Sequence, residues 1–290
     1  MRFSASCLLL LAASAVQCIA TANDDGGVSS LRGNASPRHR VLRPQHECTV
    51  VRVETQFDET SLSADEGDEY KCELHPEDRA NAGTYFVSIE GVDSTQLAAT
   101  SSGETTLVAE GATIMNGVLS VPSGAAVRLE TPETRRRLAK TEGTRRVLVV
   151  RAETKGGDTI GSKRDLTDRI FGTHGNSINM RSQYLGCSHD KLDFVPFEGS
   201  TQKGYHVTEG VIEVDIDKDF RGKSRYDAED ALEAAAASVV GDLQSQFDNV
   251  ILCIPPGTSG AWIAYAYVNS WLSAYNDQWC EKLSTLVHGK

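Results

Sequence analysis

Val250-Ile251-Leu252-Cys253-Ile254-Pro255-Pro256-Gly257 is the stretch that sets the class of the second half of this chain. A short apolar run closed by Pro and Gly reads as a buried β-strand. Upstream lies the clearest helix of the sequence, opening at Asp227. Leu232, Ala235, Val239, Leu243 and Phe247 line one face of it, and Glu229, Asp230 and Glu233 sit near its N-terminus, where the helix dipole favours carboxylates. Val147-Leu148-Val149-Val150 is a second buried run. Ser162 with Asp165 starts a short helix that carries Leu166 and Ile170 and ends at Gly172. A second short helix is expected over 177–185. Residues 191–195 and 211–216 alternate as strands, and 262–268 is a last, aromatic-rich strand. The order β-α-β-β-α-β-β predicts an α/β or α+β layer.

Working outward towards the N-terminus, the grammar changes. Thr49–Val53, Tyr85–Ile89, Val118–Val121 and Ala126–Leu129 are short β-rich runs bounded by Gly, Pro and Ser. They predict a small all-β domain over 46–132. Between the two patterns lies a basic stretch, 133–144, whose cluster Arg135, Arg136, Arg137, Lys140, Arg145 and Arg146 reads either as a solvated linker or as a processing site, cut after Arg137 or Arg146. The composition shift there predicts two separately folded units.

Arg2, the apolar run Cys7–Ala13 and the small residues Ala20-Thr21-Ala22 have the three-part order of a secretory signal over 1–22. Residues 23–45 read as a disordered linker. No later run approaches the roughly 20 apolar residues of a membrane anchor, so the chain is expected to be secreted and unanchored. A net charge of −11 argues against nucleic acid as a partner. Of seven cysteines, Cys7 and Cys18 lie in the signal, leaving five, which in an oxidising compartment means one odd thiol. Cys48 is expected to pair with Cys72 and Cys187 with Cys253, leaving Cys280 either as a buried free thiol or with a partner in sequence that is missing here. Asn34-Ala35-Ser36 is the one glycosylation sequon.

Motifs with catalytic chemistry are incomplete. Gly156 with Gly161-Ser162-Lys163 has Ser and Lys in the wrong order for a phosphate loop, and Gly257-Thr258-Ser259-Gly260 brings its second glycine one residue early for a nucleophile elbow. Histidines fall at 39, 46, 75, 174, 189, 206 and 288, with no two spaced four apart, so the His-Glu-x-x-His zinc motif is absent; His46-Glu47 starts it, but Val50 stands where the second histidine belongs. His174, His189 and His206 are the residues from which any other metal site would have to be built.

The second half nevertheless resembles a known family. Arg145–Arg151, Ser182-Gln183-Tyr184, Cys187-Ser188-His189, Lys191–Phe194 and, most specifically, Cys253–Thr258 running through Trp262–Trp271 to Tyr275-Asn276-Asp277 are similar to the gametolysin (autolysin) family of zinc metallopeptidases. The resemblance covers about residues 145–280. It implies a metzincin-like fold of which 145–290 is the upper half, preceded by a β-rich pro-region over 46–132, so that the chain as a whole is α+β. The family activity it implies is zinc-dependent cleavage of extracellular or cell-wall proteins and glycoproteins. The helix that carries zinc in the family has no counterpart here. The expectation is therefore a truncated, inactive homologue with no cofactor of its own. The alternatives are a secreted binding or adhesion protein, or a pro-region that inhibits relatives in trans. The implied loss of the lower half predicts an exposed apolar face near Trp262, Tyr265, Tyr267, Trp271, Tyr275 and Trp279. In such folds an edge strand of the upper half pairs with the extended substrate.

Overall fold

A strand of 13 residues, β1 (Gln45–Phe57), runs through the middle of the sheet and sets the plan of the molecule. The computed structural model describes residues 45–57, 68–131 and 142–282. The expected signal, Asn34, Arg137 and most of the basic stretch lie outside them. After β1 come β2 (Glu69–Leu74), α1 (Pro76–Ala82), β3 (Phe86–Glu90), α2 (Ser94–Ala98), β4 (Thr106–Glu110), β5 (Thr113–Met115), β6 (Val118–Ser120) and β7 (Val127–Glu130). The first region is thus not all-β. Pro76 at the start of α1 and the Asp93 cap of α2, which accepts from the Thr95 amide, support two short helices that strand patterning alone did not reveal.

The second region continues with β8 (Gly143–Thr154), α3 (Lys163–Phe171), α4 (Met180–Cys187), β9 (Leu192–Pro196), β10 (Gly199–Ser200), β11 (His206–Val207), β12 (Val211–Ile216), α5 (Arg225–Val240), α6 (Leu243–Gln246), β13 (Asn249–Ile254), β14 (Trp262–Tyr267) and β15 (Leu272–Asn276), closed by a 3-10 turn at Asp277–Cys280. The class is α+β. β15 was not expected: the chain turns at Val268-Asn269-Ser270, where Asn269 takes a positive φ of 58°, and a further strand follows.

One sheet of 13 strands runs β12-β8-β13-β15-β14 through the second region and on as β1-β2-β3-β6-β5 through the first. β12, β8, β13 and β15 are parallel neighbours, and β14 lies antiparallel to β15. Val147 and Val149 of β8 face α3 and α4, while Leu148 and Val150 face α5; a strand covered on both sides is apolar at every position, as its sequence shows.

The core facing α5 does not stop at the basic stretch. Val51, Val53, Tyr85 and Phe86 of the first region pack with Leu232, Leu252, Tyr265, Tyr267 and Trp271 of the second. A second cluster, around Cys48, Cys72, Leu97 and Leu107, belongs to the first region alone. The expectation of two separately folded halves is therefore corrected: they share a sheet and a core, and the composition shift marks a change of element type.

Candidate functional site

Any function that needs an open edge on the parallel sheet meets β1 first. β1 lies antiparallel against β14, from Val53 opposite Tyr267 to Phe57 opposite Trp262. The Val268 amide donates to the Arg52 carbonyl at 2.9 Å. Ser102 plugs the end of this ladder: its hydroxyl accepts from the Arg52 amide at 2.9 Å and donates to the Val268 carbonyl at 2.6 Å. Gly103, at φ +75°, lets the backbone come this close, since a Cβ there would stand 2.7 Å from the Asn269 carbonyl oxygen.

Behind the ladder, the first region locks onto α5 through buried polar groups. Glu229 and Glu233, one helical turn apart, are each only 1% exposed, and Lys71 of β2 is 4% exposed. Glu229 accepts from the Tyr267 hydroxyl at 2.6 Å and from the Tyr265 hydroxyl. The Lys71 ammonium lies 3.0 Å from the centroid of the Tyr226 ring. Burial lowers the Lys71 pKa, and Glu229 is the first of the neighbouring charges that raise it again. Desolvation raises the Glu229 carboxyl, opposed chiefly by Lys71 and the two tyrosines. Glu233 makes no full hydrogen bond on either carboxyl oxygen, although the Tyr85 backbone amide is directed at it. Desolvation, then Glu229 and Asp230, push it well above the ordinary carboxylate range.

Around this cluster the regions are stitched by further pairs. Thr84 donates to Asp230 at 2.7 Å, Arg79 pairs with Asp242 at 3.1 Å and Arg225 with Glu69 at 3.0 Å. The Leu243 amide donates to the Tyr85 hydroxyl at 2.8 Å. Glu73 of β2 accepts from Ser270 at 3.0 Å, from the Trp271 indole at 3.2 Å and from Gln244. Phe86 stacks on Tyr267 with ring centroids 3.8 Å apart. Of the aromatic residues expected to line an exposed face, Trp262, Tyr265, Tyr267 and Trp271 are buried under α5 and the first region, while Tyr275 and Trp279 are partly buried.

The structure corrects the cysteine pairing. Cys48 is bonded to Cys72, but Cys253 is bonded to Cys280, with Cα atoms 5.5 Å apart, and not to Cys187. Cys253 projects from β13 into the cluster around α3, and the 3-10 turn after β15, the parallel neighbour of β13, brings Cys280 to the same place. Cys187 is a half-buried thiol at the end of α4, on the β9 side of β8, with β8 between β9 and β13. Arg146 sits within β8, opposite Val195, with its amide donating to Asp248 at 2.9 Å. Cleavage after it would require a paired strand to unzip, because a protease takes up extended, unpaired backbone.

The other singled-out groups stay apart. His46 pairs with Asp78 at 3.3 Å and His174 with Glu209 at 3.4 Å; His189 lies in a turn at φ 54° and His206 in β11. Among the described residues no three of His, Cys, Asp and Glu group so as to hold a metal ion. The described residues therefore do not fit a zinc centre. Near the phosphate-loop-like glycines, Ser162 and Asp165 form a capping box that already occupies the start of α3. Among the described residues no helix is long and apolar enough to cross a membrane.

Lys71 and Glu73 are the residues that reading the sequence missed, and Glu229 and Glu233, read there as partners of the helix dipole, are buried. The available signal was the pair Tyr265 and Tyr267, two hydroxyls on one face of a buried strand, which call for an acceptor across the layer. Comparison with protein-family models, curated proteins and solved structures finds no match.

Proposed function

We propose that this chain is a secreted homologue of the gametolysin-type metallopeptidases in a covered, non-catalytic form. In it the first region occupies the edge strand on which an extended segment of an extracellular protein or glycoprotein would dock. The observation that carries this reading is the antiparallel ladder between β1 and β14, which takes the one antiparallel strand of the second region's sheet out of solvent. Main-chain pairing at a sheet edge gives affinity for extended polypeptide, and here the chain's own N-terminal strand supplies it. Further support comes from the two disulfides, which suit an oxidising compartment, and from the residue strings that resemble the family. The chemistry left to the described residues is binding and its regulation.

The Val268–Arg52 bond makes Glu54 and Ala266 the next hydrogen-bonding pair of the ladder, since such pairs alternate. Glu54→Pro removes a donor there. The variant is expected to bind a synthetic peptide of residues 45–57 in trans, read by fluorescence anisotropy, while the unaltered chain excludes it. A folded variant that still excludes the peptide sinks the covering role. One tightly held zinc per chain with chelator-sensitive proteolysis sinks the non-catalytic part.

A further inference from the structure

We infer that Glu233 is a proton-held latch: as a neutral acid it lets the first region close onto α5 and β14, and its ionisation loosens that contact as pH rises. The inference rests on the covering role proposed above. Its basis is a charge count inside a closed interface. Glu229, Asp230 and Glu233 all project from α5 towards the first region, and the charge of each acts on the buried Lys71 ammonium. Glu229 acts on it most strongly, and its oxygens also take the Tyr265 and Tyr267 hydroxyls of β14. Asp230 is held by Thr84.

The other cations near the seam among the described residues have partners: the Lys203 ammonium donates to the Ser238 carbonyl at 3.1 Å. Arg225 pairs with Glu69 and stands beside Tyr226, and Arg79 pairs with Asp242 at the start of α6. Tyr85, on the turn between α1 and β3, takes the Leu243 amide. Glu73, further along β2, is filled by Ser270, Trp271 and Gln244. Asp227 and Lys218 lie towards the Asp230 side of α5 and act on that carboxyl. Glu233 therefore faces two other carboxyls, with the Tyr85 backbone amide directed at it but no full hydrogen bond made and 1% of its surface exposed. A cleft of about 370 Å³, lined by Gly83, Thr84, Tyr85, Lys203, Glu233 and Asp242, runs along this seam between the layers. Separation there would hydrate the carboxylate.

The sign follows from the raised folded value. A carboxyl whose value is raised on burial contributes stability that is fully present below the ordinary carboxylate value of 4.5 and is lost as pH climbs through the folded value. Glu229 acts in the same direction. Lys71, whose value is lowered, acts in the opposite one at higher pH, so the contribution of Glu233 must be isolated by substitution.

The experiment is hydrogen exchange on the full chain from pH 5 to 8.5, corrected for intrinsic rates, following the β1 and β14 amides against those of β8 and β13. The opening constant of the β1–β14 ladder is expected to climb with pH more steeply in the unaltered protein than in Glu233→Gln. One proton gives a difference of about tenfold per pH unit within the titration window. Equal slopes, or loss of protection in β8 and β13 together with β1, overturn the latch. Should Glu233→Gln not fold, the unaltered protein still decides it: a protonated-carboxyl infrared band must fade over the same pH range in which β1 opens, and its absence at pH 5 overturns the proposal. Peptide exclusion by Glu54→Pro counts against the covering role alone, whereas equal slopes count against the latch alone.

Discussion

Glu229 is the residue on which the buried cluster turns, because it takes both tyrosine hydroxyls of β14 and is the carboxyl that acts most strongly on Lys71. Two buried groups whose charges act on one another are coupled, so removing one costs stability that removing the other in addition partly restores. Glu229→Gln is therefore expected to lower unfolding stability by about 1–3 kcal/mol, and Lys71→Met combined with it to restore a part. Denaturant unfolding of the two single variants and the double variant reads this directly; additive losses would mean that the two side chains are not coupled. Glu73 belongs to the same scale. It ties β2 to Ser270 and Trp271, and Glu73→Ala, which leaves those donors buried without an acceptor, is expected to cost about 2 kcal/mol in the same measurement. None of this was legible from composition. Carboxylates near a helix start read as dipole partners facing water, and nothing local says that a lysine about 160 residues upstream will fold over them.

At the scale of elements, the sequence was most informative where local chemistry decides the outcome. The Ser162–Asp165 capping box and Gly172, at φ 74°, bound α3 where the pattern placed it, and the period-two run 211–216 is β12. α5 shows the limit. Its buried stripe is Ala228, Leu232, Ala236 and Val240, not the stripe through Ala235 and Val239. In an alanine-rich helix several faces are equally apolar, so the packing partner chooses the phase. Gly241 ends the helix, so Leu243 starts α6 and Phe247 lies beyond it. The disulfides fail for a related reason: spacing along the chain does not say which strands are neighbours, and Cys280 reaches Cys253 only because β15 lies parallel to β13. Non-reducing peptide mapping is expected to recover a Cys253–Cys280 link and none from Cys187 to Cys253. Cys280→Ala is expected to lower stability by about 3 kcal/mol, the scale for opening a loop of this length; an unchanged midpoint would mean that the bond does not form in solution.

At the scale of the molecule, the issue is whether 133–144 separates two bodies or merely joins two parts of one. A linker rich in arginine next to a change of secondary-structure type favours the first answer. The sheet favours the second, since β1 pairs with β14 and Val53, Phe86 and Tyr267 share one core. Both disulfides close within a region, Cys48 to Cys72 in the first and Cys253 to Cys280 in the second, so after a cut between the regions no disulfide would link the described parts. What would hold them is the ladder, the stacked aromatics and the buried polar cluster, contacts of the kind that keep subunits associated. With a specific protease site inserted between Arg137 and Leu138, the cut protein is therefore expected to run as one species in gel filtration at pH 6 and to split only in denaturant. The two pieces should also part more readily as pH rises, since the proposed latch loosens when Glu233, held well above the ordinary carboxylate range by desolvation, ionises. Pieces that elute separately at pH 6 would show that the shared core is too weak to hold the regions together, and the covering role would fall with it. Pieces that stay together at every pH would keep the covering role and remove its control by Glu233.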